Sequence, residues 1–226
     1  MAITTLFRRV ACKLIQTVHS KVPMFFPNRG EVLMFHNFED REGVDFNCSP
    51  KDFEVLLLSL KQKNVIRLEQ WICENDFVAL TIDDVPESFY QYAYPLLVKY
   101  NLPFTIFVNV SLLDTPGFIT TEQLKEMASC ELCTVGSHGM HHSFYKDFSK
   151  ENKEYELAES KRVLEKLTGV SVDVFAYPYG SYFACGLSNR HLVEKYYTYG
   201  FGTVASAITN PLVFQKYYLP RKNYSS

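Results

Sequence analysis

The sequence predicts an α/β fold built on a mostly parallel sheet, open or closed into a barrel, and three observations carry that expectation. Short apolar runs alternate with segments of helical periodicity along most of the chain. The 226 residues are 47% hydrophobic and 15% aromatic, enough for one sizeable core. After residue 30 no internal repeat, low-complexity tract or Ser/Gly linker divides the chain, so one domain over 31–226 is the economical reading.

The elements follow in order. A β-rich run over 32–35 ends in His36, Asn37 and Phe38. A polar, acidic loop then reaches Ser49, suited to cap a helix whose first turn accepts Pro50 and whose expected buried stripe is Phe53, Val55, Leu56, Leu57 and Leu60. The spacing next predicts a strand over 77–82, a helix over 87–100, a strand over 104–110 and a helix over 121–128 opened by Thr121. A strand over 134–137 precedes a charged helix over 150–167 closed by Gly169, whose acids and bases four apart read as a solvated face. A strand over 172–176, a helix over 188–199 and the β-branched pair Thr203 and Val204 complete the series. In such a sheet, chemistry belongs at the C-terminal ends of the strands.

Residues 1–30 stand apart. They hold Arg8, Arg9, Lys13, Lys21 and Arg29 and no acid, which leaves 18 bases against 25 acids in the remainder. Ile3, Leu6, Phe7, Val10, Leu14, Ile15 and Val18 recur at helical spacing between those bases. Lys13 interrupts any signal-peptide core, and no run approaches the ~20 apolar residues that a membrane span needs. This head is either a helix docked on its own domain or one lying on an anionic membrane through residues 1–21, followed by the Pro-bounded stretch of residues 22–27. With no export signal, the six scattered cysteines point to reduced thiols in a cytoplasmic chain, peripheral at the inner membrane face if the membrane reading holds, and the three Asn-x-Ser sequons carry little meaning.

Three clusters carry chemistry. Asp83 and Asp84 end an apolar strand, where adjacent carboxylates are costly to bury unless a cation neutralises them; alternatively they cap the next helix. His138, His141 and His142 follow another strand. His138 and His142 are four apart, and one helical turn would bring both imidazoles to one side, where with a neighbouring carboxylate they make a plausible metal set. In Phe175-Ala176-Tyr177-Pro178-Tyr179-Gly180 a rigid Pro and a permissive Gly can aim a backbone N–H at a cleft. Two patterns are rejected. Cys130 and Cys133 lie too close to His138 for a zinc finger, and Gly200-Phe201-Gly202 follows a helical segment, the reverse of a dinucleotide-binding turn.

Taken in order, Thr81-Ile82-Asp83-Asp84, Ser137-His138-Gly139-Met140-His141-His142 and Phe175 through Gly180 resemble the motifs of the polysaccharide deacetylase family with NodB homology, over roughly residues 32–221. The resemblance implies an incomplete, distorted (β/α) barrel and a divalent metal, usually zinc, bound by Asp84, His138 and His142. It implies Asp83 as general base and the Tyr179 backbone N–H as oxyanion donor. Many members carry an Arg in the third motif, where Ala176 or Tyr177 stands here; Arg221 resembles the Arg of a subgroup with the Ala-Tyr-Pro-Tyr-Gly variant and would orient Asp83 instead. The late Leu-x-His motif, source of a general acid, is missing, and His36 resembles a strand-end histidine of the same subgroup. The expected activity is hydrolysis of an N-acetyl group on an amino sugar of a glycan or lipid-linked glycan, with N-acetylated carbohydrate and not nucleic acid as partner. A sugar deformylase, an O-deacetylase or a catalytically weakened glycan-binding protein are the alternatives.

Overall fold

The computed structural model describes residues 6, 9–14, 17, 18, 21, 28–40, 46–186, 189–209 and 216–224. The elements are β1 (Asn28–Phe35), α1 (Pro50–Leu60), β2 (Asn64–Val65), β3 (Phe77–Asp83), α2 (Tyr94–Tyr100), β4 (Phe104–Val108), α3 (Thr121–Ala128), β5 (Cys133–Ser137), α4 (Lys150–Thr168), β6 (Val174–Ala176), α5 (Tyr182–Cys185), α6 (Arg190–Val193), β7 (Tyr199–Phe201), β8 (Ile208–Thr209) and β9 (Lys222–Asn223).

The sheet runs β7-β6-β5-β4-β3-β1-β8, parallel from β7 to β1 and antiparallel at β8. One returning segment spans its two ends. Leu219 bridges Phe201 of β7, and β9, three residues on, pairs with β1 at Leu33 and Met34. The sheet therefore curls into the incomplete barrel that the sequence led us to expect.

Strand parity sorts the side chains. Phe77 and Ala79 of β3 pack with Val32, Phe107, Val174, Ala176, Phe201 and Leu219 inside the curl, whereas Leu80 and Ile82 face the helix layer with Phe53, Leu57 and Leu97. The same alternation carries Thr81 and Asp83 to the inner face. On β5, Gly136 is inward as well: a Cβ there would lie 2.6 Å from the Phe107 ring, so only glycine admits that ring.

Most local expectations hold. Ser49 caps α1 by accepting from the Asp52 amide, and Gly169 ends α4 in the left-handed conformation. α3 is capped by Thr120, one residue earlier than expected, with Gln123 closing a capping box. Five expectations need correction. Val55 is exposed, because the buried face of α1 is Phe53, Leu57 and Leu60. The 87–100 segment contains a π turn, Phe89–Ala93, which ends two residues before Pro95, a residue that can neither donate nor tolerate a regular carbonyl four residues back. Residues 188–199 are not one helix: α6 ends at Val193 and Tyr199 enters β7 against Val174, so sheet pairing overrides helical periodicity; Leu187 and Ser188 lie outside the described residues. Thr203 and Val204 belong to a loop. Glu156 and Ser160 of the charged helix are buried.

In the head, residues 9–14, 17 and 18 are helical. Residues 22–27 lie outside the described residues. All six cysteines are free, and Cys130 and Cys133 pack on the core as expected.

Candidate active site and metal-ligand cluster

β3 delivers Asp83 into the barrel mouth, and the chain then turns sharply: Asp84 and Val85 have φ of +59° and +54°. A β-branched residue at positive φ is strained by about 1–3 kcal/mol. Backbone bonds from Val85 to the Asp83 carbonyl and from Ile119 to the Val85 carbonyl hold the turn, which keeps Asp84 at the cleft instead of on a following helix.

Arg221 is fully buried and grips Asp83 with both guanidinium ends, Nη1 to Oδ1 at 2.6 Å and Nη2 to Oδ2 at 2.7 Å. Its Nε donates to the Gly202 carbonyl, and the guanidinium lies over the Phe107 ring. Burial alone would raise the Asp83 pKa. The Arg221 charge and hydrogen bonds, with His138 and His36, overturn that and hold it at about 2. Asp84 goes the other way. Its pKa is raised, chiefly by burial, with His138 opposing and Asp83 adding. The guanidinium that pairs with Asp83 thus comes from the returning segment and not from the loop after β6.

His138 is buried, and its Nδ1 lies 2.8 Å from the Ala176 carbonyl. A carbonyl only accepts, so Nδ1 carries the proton and Nε2 presents a lone pair to the cleft. Nε2 is 3.8 Å from Asp84 Oδ1, and His142 Nε2 is 3.7 Å from Asp84 Oδ2. Burial lowers the pKa of both imidazoles despite the neighbouring carboxylates. The ligand atoms of Asp84, His138 and His142 lie within 4.8 Å of one another. Asp84 Oδ1 is buried without a hydrogen-bond partner. Such a set, with one buried carboxylate oxygen that no donor among the described residues satisfies, fits a divalent cation.

The histidine spacing predicts a helical turn, but residues 138–142 form a loop. Glu156 of α4 builds it. Its Oε2 accepts from the amides of Met140 at 2.8 Å and His141 at 2.9 Å, and its Oε1 lies 2.7 Å from His141 Nδ1. Ser137 accepts from the Gly139 amide and meets Ser160 of the same helix. Reading α4 as a solvated face overlooked Glu156. The available signal was its place beside the inward stripe Leu157, Ser160 and Leu164.

At the end of β6, Tyr179 and Gly180 both have positive φ, +60° and +57°. The Thr203 amide donates to the Gly180 carbonyl, as does the Tyr218 hydroxyl, and a Cβ on residue 180 would meet Thr203 Cγ2 at 2.3 Å. The Tyr179 amide has no acceptor among the described residues. The Tyr179 ring is half exposed and leans on His142. These groups open on a cleft of about 550 Å³ lined also by His36, Phe46, Phe118 and Asn223. His36 Nδ1 is buried without a partner, and its pKa is lowered by burial, with Asp83 opposing. His141 is outside the cluster, turned toward Glu156.

A model of the polysaccharide deacetylase family matches residues 73–193. The chain belongs to the polysaccharide deacetylase family. The matched region contains Asp83, Asp84, His138, His142 and Tyr179; His36 and Arg221 fall outside it. The Bacillus subtilis protein YxkH is 26% identical over 69% of this chain and 58% of its own. The Staphylococcus aureus poly-beta-1,6-N-acetyl-D-glucosamine N-deacetylase is 31% identical over 64% and 53%. This family member thus spans a little over half the length of these two curated relatives. A polysaccharide deacetylase from Bacillus cereus superposes with a TM-score of 0.78 at 26% identity, covering 88% of this chain and 66% of that one.

Proposed function

We propose that this chain is a metal-dependent N-deacetylase that hydrolyses an N-acetyl group on an amino sugar of a glycan. The observation that carries the reading is the convergence of Asp84, His138 and His142 beside a second, arginine-paired aspartate in an open cleft. Family membership supports it, and the staphylococcal relative's named activity on an N-acetylated glycan favours an amide substrate over an ester.

Asp84, His138 and His142 would hold the cation, and one carboxylate with two imidazoles suits zinc. When bound, the ion supplies Lewis acidity to a water molecule and to the acyl carbonyl. Asp83, kept ionised and in register by Arg221, accepts a proton from the attacking water. The Tyr179 N–H, fixed by the Pro178–Gly180 turn, faces the oxygen on which negative charge develops. His36, across the same cleft, would pass on to the departing amine the proton that Asp83 takes from the water, returning both groups to their starting states.

Two variants test the roles. Asp83→Asn loses turnover of an acetylated chitooligosaccharide while retaining metal by elemental analysis; His138→Ala loses both. A metal-free Asp83→Asn protein would undo the division of labour between the two aspartates.

A further inference from the structure

We propose that the head helix, with the aromatic rim of the cleft beside it, is a docking surface for an anionic lipid bilayer. Leu6, Val10, Leu14 and Val18 are spaced four apart and are 64%, 60%, 64% and 61% exposed. At roughly 100° per residue they form one stripe, and Cys12 falls on the opposite side of the helix. Cys12 packs on the core of the domain, and the Arg9 guanidinium lies 4.9 Å over the Phe183 ring. Among the described residues, the helix therefore meets its domain through Arg9 and Cys12 and turns the stripe of Leu6, Val10, Leu14 and Val18 outward.

The charge selects the occupant. Residues 1–30 carry five bases and no acid. A second copy pairing through the same face would bring two such basic segments together, whereas anionic headgroups would neutralise them while the aliphatic stripe enters the acyl boundary. Position matters as well. Lys146 lies 4.6 Å over the same Phe183 ring and 5.5 Å over Phe144, and Phe144 packs edge-on against Tyr179 at 4.4 Å. This run of cation–ring and ring–ring contacts joins the head to the cleft mouth, where Phe46, Phe144 and Tyr179 are 57%, 37% and 52% exposed. Docking would set the mouth at headgroup level and bring an amino sugar anchored in that bilayer within reach. This last step rests on the deacetylase reading; the docking does not.

The test is co-sedimentation of the full chain with phosphatidylcholine vesicles, with and without one third phosphatidylglycerol. The parent pellets with the anionic vesicles and is released as salt is raised. Val10→Glu with Leu14→Glu lowers the partition coefficient tenfold or more, and Lys13→Gln with Lys21→Gln lowers it severalfold on anionic vesicles only. Both pairs keep the parent melting temperature. Soluble acetylated chitooligosaccharide is hydrolysed at the parent rate by both pairs; absence of hydrolysis by the parent itself would count against the deacetylase reading and leave the vesicle result standing. Parent protein that stays in the supernatant overturns the docking proposal. So does a parent dimer in vesicle-free solution that Val10→Glu with Leu14→Glu dissociates, because the stripe would then belong to a second copy.

Discussion

Arg221→Met isolates the pair on which the site is built. The side chains of Arg221 and Asp83 are 0% and 3% exposed, so neither can recover its partner's interaction from water. Methionine keeps most of the aliphatic volume but leaves Asp83 buried beside an apolar chain and the Gly202 carbonyl without its donor. Removing one member of a buried ion pair costs about 3–5 kcal/mol. For a chain of this size that corresponds to a fall in Tm of roughly 6–20 °C, at about 2–4 °C per kcal/mol. Urea unfolding followed by circular dichroism measures the loss. The pH dependence gives a second readout. In the parent, Asp83 titrates at about 2, below its unfolded value, so its contribution is complete above the ordinary carboxylate range and is lost as pH falls through 2. In the variant, burial without Arg221 pushes that pKa up, so the folded protein takes up a proton earlier and the stability gap narrows as pH falls from neutrality. Adding Asp83→Asn should recover about 2 kcal/mol, the coupling expected of directly bonded partners. A loss below about 1 kcal/mol, typical of a solvated surface pair, would refute the buried-pair argument.

Two further outcomes follow from the loops. Glu156→Ala strips the acceptor from two amides and one imidazole, so metal affinity by chelator competition should fall about 10–100-fold; unchanged affinity with only a lower Tm would reduce Glu156 to a packing role. Gly180→Ala places a Cβ against Thr203 in a left-handed turn, and the displaced Tyr179 amide should cost about 10²–10³ in kcat with little change in KM. An unchanged kcat would remove that amide from the chemistry.

The residues of the site were legible where chemistry follows chain order. Asp83 and Asp84, His138 and His142, and the Pro178–Gly180 turn each end a strand whose apolar run announces it, and parallel strands bring such ends to one rim. Arg221 was legible only through resemblance. It lies 138 residues from Asp83, in a segment with little strand signal of its own, and its partner is set by barrel closure. Glu156 was hidden by its neighbours: among Lys150, Glu151, Lys153 and Glu154 an inward carboxylate has the composition of a solvated one. The helical-turn expectation for His138 and His142 failed because Glu156 satisfies the loop amides that a helix would otherwise pair.

The sequence by itself determined the alternation of strands and helices and the caps at Ser49 and Gly169, which depend on periodicity and short-range hydrogen bonding acting over a few residues. The choice of Asp84 with His138 and His142 as metal-ligand candidates came from the family resemblance of the motifs. Only the tertiary structure decided which imidazole nitrogen faces Asp84, how two adjacent aspartates acquire opposite pKa shifts, and which way the head turns its apolar stripe. Each of these depends on burial and on charges brought from distant parts of the chain, and desolvation is a property of the packed molecule, absent from any local stretch of sequence.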